Sequence, residues 1–208
     1  MKKAVLALYI ILSILQTSLY AQENAVITAL KKKYNEKASL ELTFDLDIFW
    51  KVREKHEKKS GSLCLMPGDK FRLTIGSTEW ISDGHTYWQY NEKTSQVIIK
   101  SLLDVDLSMH PSQIIKTYLG YSYKVKSDDA KLAVLTWSTT GPDRKKTYKA
   151  ITLWVNKKKN TIEKVRAVDK NGNESTYTFK KTEAGVQFPS TLFEFEVPKG
   201  VDILDTRE

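Results

Sequence analysis

The residues that could perform catalysis are few, and their spacing brings none of them together. No two of the three histidines, His56, His85 and His110, have the spacing of metal ligands on one helix or strand. Ser82, Asp83 and His85 have the residue types of a hydrolase triad, but neighbours in one tight turn rarely point at a common atom. The segment therefore predicts a turn, with catalysis as the weaker interpretation.

Two carboxylates and one cysteine offer the remaining chemistry. Asp45 and Asp47 share one face of a predicted strand, and glycosidases use two carboxylates about 5 to 10 Å apart. Glu41 lies on the same face, so a solvated surface explains these acids without catalysis. Cys64 is the only cysteine, which excludes an internal disulfide and favours a small packed residue. With neither a phosphate loop nor a dinucleotide glycine pattern, the sequence predicts no enzyme, no cofactor and no metal.

The aromatic residues are more informative, because they are spread over most of the predicted strands. The set is Trp50, Phe71, Trp80, Tyr87, Trp88, Tyr90, Trp137, Trp154, Phe193 and Phe195. One interpretation is the core of an ordinary sandwich, and the other is the lining of a hollow sheet.

Residues 40–52 contain the clearest structural pattern, a strict alternation of apolar and mostly polar side chains. The apolar members are Leu40, Leu42, Phe44, Leu46, Ile48, Trp50 and Val52. Such alternation predicts a strand with one apolar and one solvated face. At about 3.3 Å per residue the strand would exceed 40 Å, so it must curve within a barrel-like or strongly bent sheet.

The rest of the chain predicts many short antiparallel strands and two helices. We place strands near 62–66, 70–76, 78–82, 86–90, 95–99, 121–126, 131–137, 146–156, 162–168, 174–180 and 191–197, with a charged connection at Glu54–Ser60. Helical spacing over 23–34 and again after Pro111 predicts helices that could cover the mouth of a curved sheet and enclose an apolar space.

The first residues have the pattern of a secretory signal peptide. Lys2 and Lys3 precede an uncharged, mostly apolar run, and Ala21 is a small residue suited to cleavage, so we expect a signal at 1–21 and one domain at 22–208. An uncleaved membrane anchor is the alternative. Cleavage would lower the net charge from +8 to +6, and outside the cytoplasm this favours anionic headgroups or an acidic protein over nucleic acid, or simple solubility.

Four segments carry a resemblance to a known family. They are Gly61–Leu73, Trp80–Asn91 with Gln96-Val97 after it, Val168–Phe179 and Phe193–Arg207. Their order and spacing resemble those of the outer-membrane lipoprotein carrier proteins, the LolA family. The resemblance implies a mainly β monomer, in which one strongly curved antiparallel sheet forms an unclosed barrel lidded by helices.

The resemblance also implies a task. Such carriers accept lipoproteins from an inner-membrane ABC-type transporter, hold their acyl chains in an apolar cavity and bring them across the periplasm to the outer membrane, where a receptor can take them over. By this interpretation the cavity residues are Leu42, Phe44, Leu46, Ile48, Trp50, Phe71, Trp88 and Tyr90, and the lid residues are Ala29, Leu30, Ile114 and Tyr118.

One position departs from the family pattern. The family often has an arginine just before the proline of the first hairpin, and that arginine hydrogen-bonds the lid. Met66 stands there in this sequence, so we expect an empty form that is less firmly closed. Two other functions stay open: a lipid- or lipoprotein-sensing regulatory domain of the same fold, and, with less support, an extracytoplasmic hydrolase.

Overall fold

The computed structural model describes residues 25–34, 39–105, 115, 117–139 and 147–207. Its strands are β1 (Leu40–Trp50), β2 (Lys55–Met66), β3 (Lys70–Ile75), β4 (Thr78–Asp83), β5 (Thr86–Asn91), β6 (Gln96–Ser101), β7 (Lys124–Asp128), β8 (Leu132–Ser138), β9 (Tyr148–Asn156), β10 (Thr161–Asp169), β11 (Glu174–Ala184) and β12 (Asp202–Asp205). Helix α1 covers 25–33, and α2 is helical at 115 and 117–119. Neither helix, within these described residues, has the length and apolar character needed to cross a bilayer.

All twelve strands of the described residues belong to one sheet that does not close. The order across it is β12-β6-β5-β4-β3-β2-β1-β11-β10-β9-β8-β7. Every neighbouring pair is antiparallel except β12 with β6. The mainly β, curved and unclosed sheet with helices against it confirms the fold class predicted from the sequence. The signal peptide predicted at 1–21 lies outside the described residues.

The central strand β1 shows the predicted alternation. Leu40, Leu42, Phe44 and Leu46 are buried, while the residues between them are half-exposed. A bulge in the pairing with β11 falls between Thr43 and Phe44. An extra residue in one strand of a pair bends that strand and increases the local twist, which helps to curve the sheet around the apolar face of β1.

The prediction of a charged connection at Glu54–Ser60 is wrong, except for Glu54. The turn occupies 51–54, and β2 begins at Lys55. Residues 55–60 are strand because each has a partner on β1, from Lys55 opposite Trp50 to Ser60 opposite Asp45. Cross-strand hydrogen bonding along a long partner outweighs the weak strand preference of lysine and glutamate.

The predicted strand at 191–197 is also wrong. A 3₁₀ turn spans Ser190–Phe193, and β12 follows later in the chain. This C-terminal segment covers one face of β3 to β6. Phe193, Ile81 and Val97 are fully buried there. Arg72 on β3 donates to the carbonyl of Leu192 at 3.3 Å, so the segment is tied to the sheet as well as packed on it.

Two apolar clusters occupy the other, concave face. The larger one joins the helices to β8, β9 and β10, and its members include Ile27, Leu30, Tyr118, Leu135 and Leu153. The smaller one joins β1, β2 and β3 through Leu40, Leu42, Leu63, Leu65 and Phe71. The core of this face therefore has two parts, and Tyr34 at the end of α1 and Ile115 of α2 pack against both.

We predict that Gly61→Ala destabilises the protein by about 1–3 kcal/mol, because the added methyl overpacks a tight site. A Cβ at Gly61 would lie 2.5 Å from Cζ of Phe44, its partner on β1, and 2.7 Å from the backbone oxygen of Thr74. Urea unfolding measures the change. Ser62→Ala on the same strand is the control and should shift the free energy of unfolding by less than about 0.5 kcal/mol. Equal stability of the two variants would contradict this packing.

Candidate functional site

An apolar cavity of about 130 Å³ lies between the concave face of the sheet and the two helices. The residues that line it are Tyr34, Leu42, Phe44, Leu63, Leu73, Ile75, Ile115, Tyr118, Ile162, Val165, Tyr177 and Phe179. None of these side chains is charged at neutral pH. Their shared face follows from the pairing, because residues directly opposite one another point to the same side of a sheet, as Leu42, Leu63 and Leu73 do.

The cavity lies where the two apolar clusters meet. Three of its wall residues, Tyr34, Ile115 and Phe179, pack against both clusters. Phe44 stands between them, with its ring edge-on to Tyr177 at 5.6 Å and to Phe179 at 6.1 Å between ring centroids. The wall is therefore made of rings and branched aliphatic side chains from both sides of the core, which suits a hydrocarbon ligand.

Only some of the residues of β1 and β3 that were expected to line the cavity do so. Leu42 and Phe44 are in its wall. Leu46 and Phe71 are buried beside it, whereas Ile48 is half-buried and Trp50 is exposed farther along β1. The apolar face of β1 thus lines the cavity at Leu42 and Phe44 and extends beyond it toward the β1–β2 turn.

Trp88 and Tyr90 do not line the cavity, which corrects the expectation. On β5 the side chains on the cavity face are those of Tyr87 and Gln89. They lie opposite Ser82 and Trp80 of β4, which are on the same face. Trp88 and Tyr90 have the opposite parity and pack against Phe195 of the C-terminal segment. Aromatic content could not reveal this, because both faces of this part of the sheet are covered.

The residues expected in a lid lie largely where helices meet the sheet. Leu30 is fully buried, Tyr118 is buried and Ala29 is half-buried. Ile114 lies outside the described residues, but the next residue, Ile115, is in the cavity wall.

Sequence reasoning missed several residues of the cavity wall, notably Tyr34, Ile162, Val165, Tyr177 and Phe179. The spacing of Tyr177 and Phe179 on one strand face was a usable signal. The strand pairing that brings that face beside Phe44 was not visible in the sequence.

The end of α1 is joined to β10 by a tyrosine. The backbone N–H of Ile162 donates to the hydroxyl of Tyr34 at 3.1 Å. A shift in the pairing of β9 and β10 lies beside Ile162, and such irregularities leave backbone groups in need of a partner. Lys33 adds a second link, from Nζ to the carbonyl of Lys159 at 2.9 Å.

Met66 is at the end of β2, opposite Lys70. Alternation along β2 places Met66 with Cys64 on the face opposite to Leu65, and therefore opposite to the cavity. The effect expected from the missing arginine stays a prediction, but the structure shows that Tyr34 and Lys33 link α1 to the sheet without it.

Neutral phenols supply the polar atoms around the cavity. Burial raises the pKa of Tyr177 to about 12 and raises the pKa of Tyr118 well above its ordinary value. The hydroxyl of Tyr118 is 3.3 Å from that of Tyr148, and Tyr123 donates to the carbonyl of Tyr118 at 2.6 Å. Because these phenols are neutral at neutral pH, they place no charge in or beside the cavity wall.

A larger groove of about 690 Å³ lies on the other face of β1, β2, β10 and β11. Its side chains carry both signs of charge, among them Asp45, Lys58, Lys164 and Glu174, and it is open to solvent. His56 Nδ1 is 2.7 Å from Asp47 Oδ1 at its edge, but both side chains are exposed. Mixed, solvated charges make this groove a poor site for an apolar ligand.

The model of one protein family matches residues 38–196, more than half of the chain; its description is outer membrane lipoprotein carrier protein LolA. The chain belongs to the LolA family. An outer-membrane lipoprotein carrier protein of Neisseria gonorrhoeae is 28% identical over 189 residues, which cover 88% of each chain. Family members are carrier proteins.

Solved structures agree with this fold. A conserved protein from Thermus thermophilus has a TM-score of 0.54 at 12% identity over 88% of this chain and 98% of its own. MucB has a TM-score of 0.51 at 14% identity over 88% of this chain and 66% of its own. At such identities the likeness concerns the fold alone.

The triad-type residues of this LolA-family chain form a turn, as predicted. The carboxylate of Asp83 accepts hydrogen bonds from the backbone N–H groups of His85 at 2.8 Å and Thr86 at 2.7 Å, and Ser82 Oγ accepts one from Gly84 at 3.1 Å. Their side chains are thus used to shape the turn. Among the described residues no group of three or more His, Cys, Asp or Glu could hold a metal ion.

We predict that Tyr34→Phe loosens α1. The change leaves the N–H of Ile162 without its partner, which costs about 1–3 kcal/mol. Hydrogen exchange of residues 25–33 should accelerate roughly tenfold. The control is Tyr90→Phe, which removes a hydroxyl on the other face of the sheet. Unchanged exchange in α1 would show that Tyr34 does not hold it.

Stability should fall with alkaline pH between about 10 and 12. Tyr177 has a raised folded pKa of about 12, so above its ordinary value of 10.0 the unfolded chain loses a proton that the folded chain keeps. The free energy of unfolding then decreases as pH rises, by at most about 1.4 kcal/mol per pH unit for this group. Tyr177→Phe should flatten part of the decrease measured by urea unfolding, with Tyr118 and Tyr123 responsible for more of it. An identical decrease in the variant would contradict this.

Proposed function

We propose that this protein carries the acyl chains of lipoproteins in the concave-face cavity and moves them across the periplasm from the inner to the outer membrane. The observation that carries the proposal is the uncharged cavity under two helices, within a chain of the LolA family. The export expected from Lys2, Lys3 and the apolar run after them supports the same location.

The size of the cavity requires that it opens to accept this ligand. Its volume of about 130 Å³ resembles that of a cavity that holds one benzene-sized molecule, whereas ligand sites commonly reach about 300–1,000 Å³. The structure therefore corresponds to a form with little room between the helices and the sheet. Acyl chains need more room than this form offers.

The helices are the elements that can move to enlarge the cavity. The strands are held by continuous backbone hydrogen bonds, whereas α1 is held by packing of Ile27 and Leu30 and by the links from Lys33 and Tyr34. Displacing α1 and α2 would join the cavity to the apolar surface beneath them, where Leu135, Leu153 and other residues of the larger cluster lie.

The energetics suit a carrier. Exposing an acyl chain to water costs about 0.8 kcal/mol per CH₂ group, so a lipoprotein anchor cannot cross an aqueous space alone. Transfer from a membrane into an apolar cavity exchanges one apolar environment for another. The large cost lies in extracting the anchor, and we propose that an inner-membrane ABC-type transporter meets it and that an outer-membrane receptor accepts the cargo.

Mass spectrometry of the protein purified from the periplasm tests the proposal directly. We expect copurified lipoprotein or acylated peptide, with no hydrolysis of its esters during incubation. Deletion of the gene should leave lipoproteins in the inner membrane. Recovery of free fatty acid with turnover would favour a hydrolase, and unchanged lipoprotein location would favour a sensor.

A filled cavity should bind ligand less well. Leu73→Trp places a large ring on the cavity face of β3, and Thr74→Trp places the same ring on the opposite face as a control. We expect the first variant to lower affinity for a fluorescent acyl probe at least tenfold and the second to leave it unchanged, with melting measured for both. Equal affinity of both folded variants would show that the ligand binds elsewhere.

A further inference from the structure

The apolar face of β1 continues beyond the cavity to the tip of the β1–β2 hairpin. Exposure rises along this row, from 4% at Leu46 through half-buried Ile48 to 36% at Trp50 and 88% at Val52. A valine this exposed, in the turn that follows β1, has no packing role in the fold. The tip, defined here as Trp50–Lys55, is where the row reaches solvent.

The hairpin that carries the tip is rich in cations. Between Trp50 and Ser60 the positive residues are Lys51, Arg53, Lys55, Lys58 and Lys59, against the two acids Glu54 and Glu57. Glu57 is already engaged, since it is 2.8 Å from Nζ of Lys59 and accepts the indole N–H of Trp50 at 3.1 Å. The tip therefore presents a net positive charge around its apolar residues.

The hairpin projects beyond its neighbour on one side. The first residue of β2 that pairs with β3 is Gly61, so residues 55–60 extend past β3 by about 20 Å at 3.3 Å per residue. On the other side β1 pairs with β11 as far as Phe49, and the tip is held by the next turn, where the N–H of Lys51 donates to Asn173 Oδ1 at 3.1 Å. The hairpin is thus supported along β11, and residues 50–55 at its end are exposed to solvent.

We propose that this tip contacts the surface of an anionic lipid bilayer, with Val52 and the edge of Trp50 in the interface and the cations near the phosphates. Tryptophan favours the interface between headgroups and acyl chains. Each lysine or arginine near an anionic surface strengthens binding by roughly fivefold. An exposed end with one aliphatic residue and several spread cations suits a surface of repeated negative charge.

The other exposed apolar residues of the described chain lack this setting. Leu103, 95% exposed, is next to Asp104, and Ile203 and Leu204 stand between Asp202 and Asp205. An anionic surface repels these sites, whereas it attracts the hairpin. The tip is therefore distinguished from the other exposed apolar sites by its positive charge. Leu103 serves as a matched control.

Membrane contact at this point would also orient the cavity. The row from Val52 to Leu46, flanked by Glu57 and Lys59 of β2, would lead an acyl chain from the bilayer toward the cavity. That path rests on the proposed function, whereas the contact itself does not. The two ideas can therefore fail separately.

The test is flotation of the periplasmically purified protein with phosphatidylcholine vesicles that contain or lack 30% phosphatidylglycerol. We expect binding to the anionic vesicles, weakened by salt, and at least tenfold less binding by Val52→Asp. Leu103→Asp should bind as the unaltered protein does. Both residues are exposed, so both variants should melt normally.

Three outcomes would overturn the inference: no binding of the unaltered protein to anionic vesicles, equal binding to neutral vesicles, or equal binding by Val52→Asp. The first would leave the hairpin as a contact for a protein. Affinity for the fluorescent acyl probe should be the same in Val52→Asp as in the unaltered protein. If the unaltered protein bound anionic vesicles but not the probe, the carrier function would fail and the membrane contact would stand.

Discussion

Strand β1 pairs with β2 on one side and with β11 on the other, and this pairing fixes which residues form the concave face. Backbone hydrogen bonds on both sides of β1 set which of its side chains face inward, and the row of Leu42, Phe44 and Leu46 follows from that register. A slip by one residue would send the whole row to solvent. Because the sheet does not close, this apolar concave face needs a cover, and α1 and α2 supply it.

Helix α1 and the sheet are held in place by different kinds of interaction. The sheet is a continuous ladder, whereas α1 depends on buried side chains and on the hydrogen bond between Tyr34 and Ile162. A link between two neutral groups is insensitive to salt, and burial raises the pKa of Tyr34, so the link also survives mild alkaline conditions. Helix α1 thus covers the cavity without placing a charged side chain in its apolar wall.

Aromatic residues occur on both faces of the sheet, so their presence in a strand does not show which of them line the cavity. Tyr87 and Trp88 are adjacent on β5, yet one shares the cavity face and the other packs under the C-terminal segment. That segment gives β3 to β6 a second core around Phe193. Covered on both sides, these strands have apolar residues in both parities, and alternation no longer shows which residues face a ligand.

Elements with a local cause could be predicted from the sequence: the alternating strand β1, the short strands between turn residues, the helix at 25–33 and the turn at Asp83. Their order and motifs also indicated the family. The sequence did not reveal which face of each strand lines the cavity, that Lys55–Ser60 is strand, or that Tyr34 contacts Ile162. These depend on partners far apart in the chain, and the free energy of such contacts arises only when the sheet has brought them together.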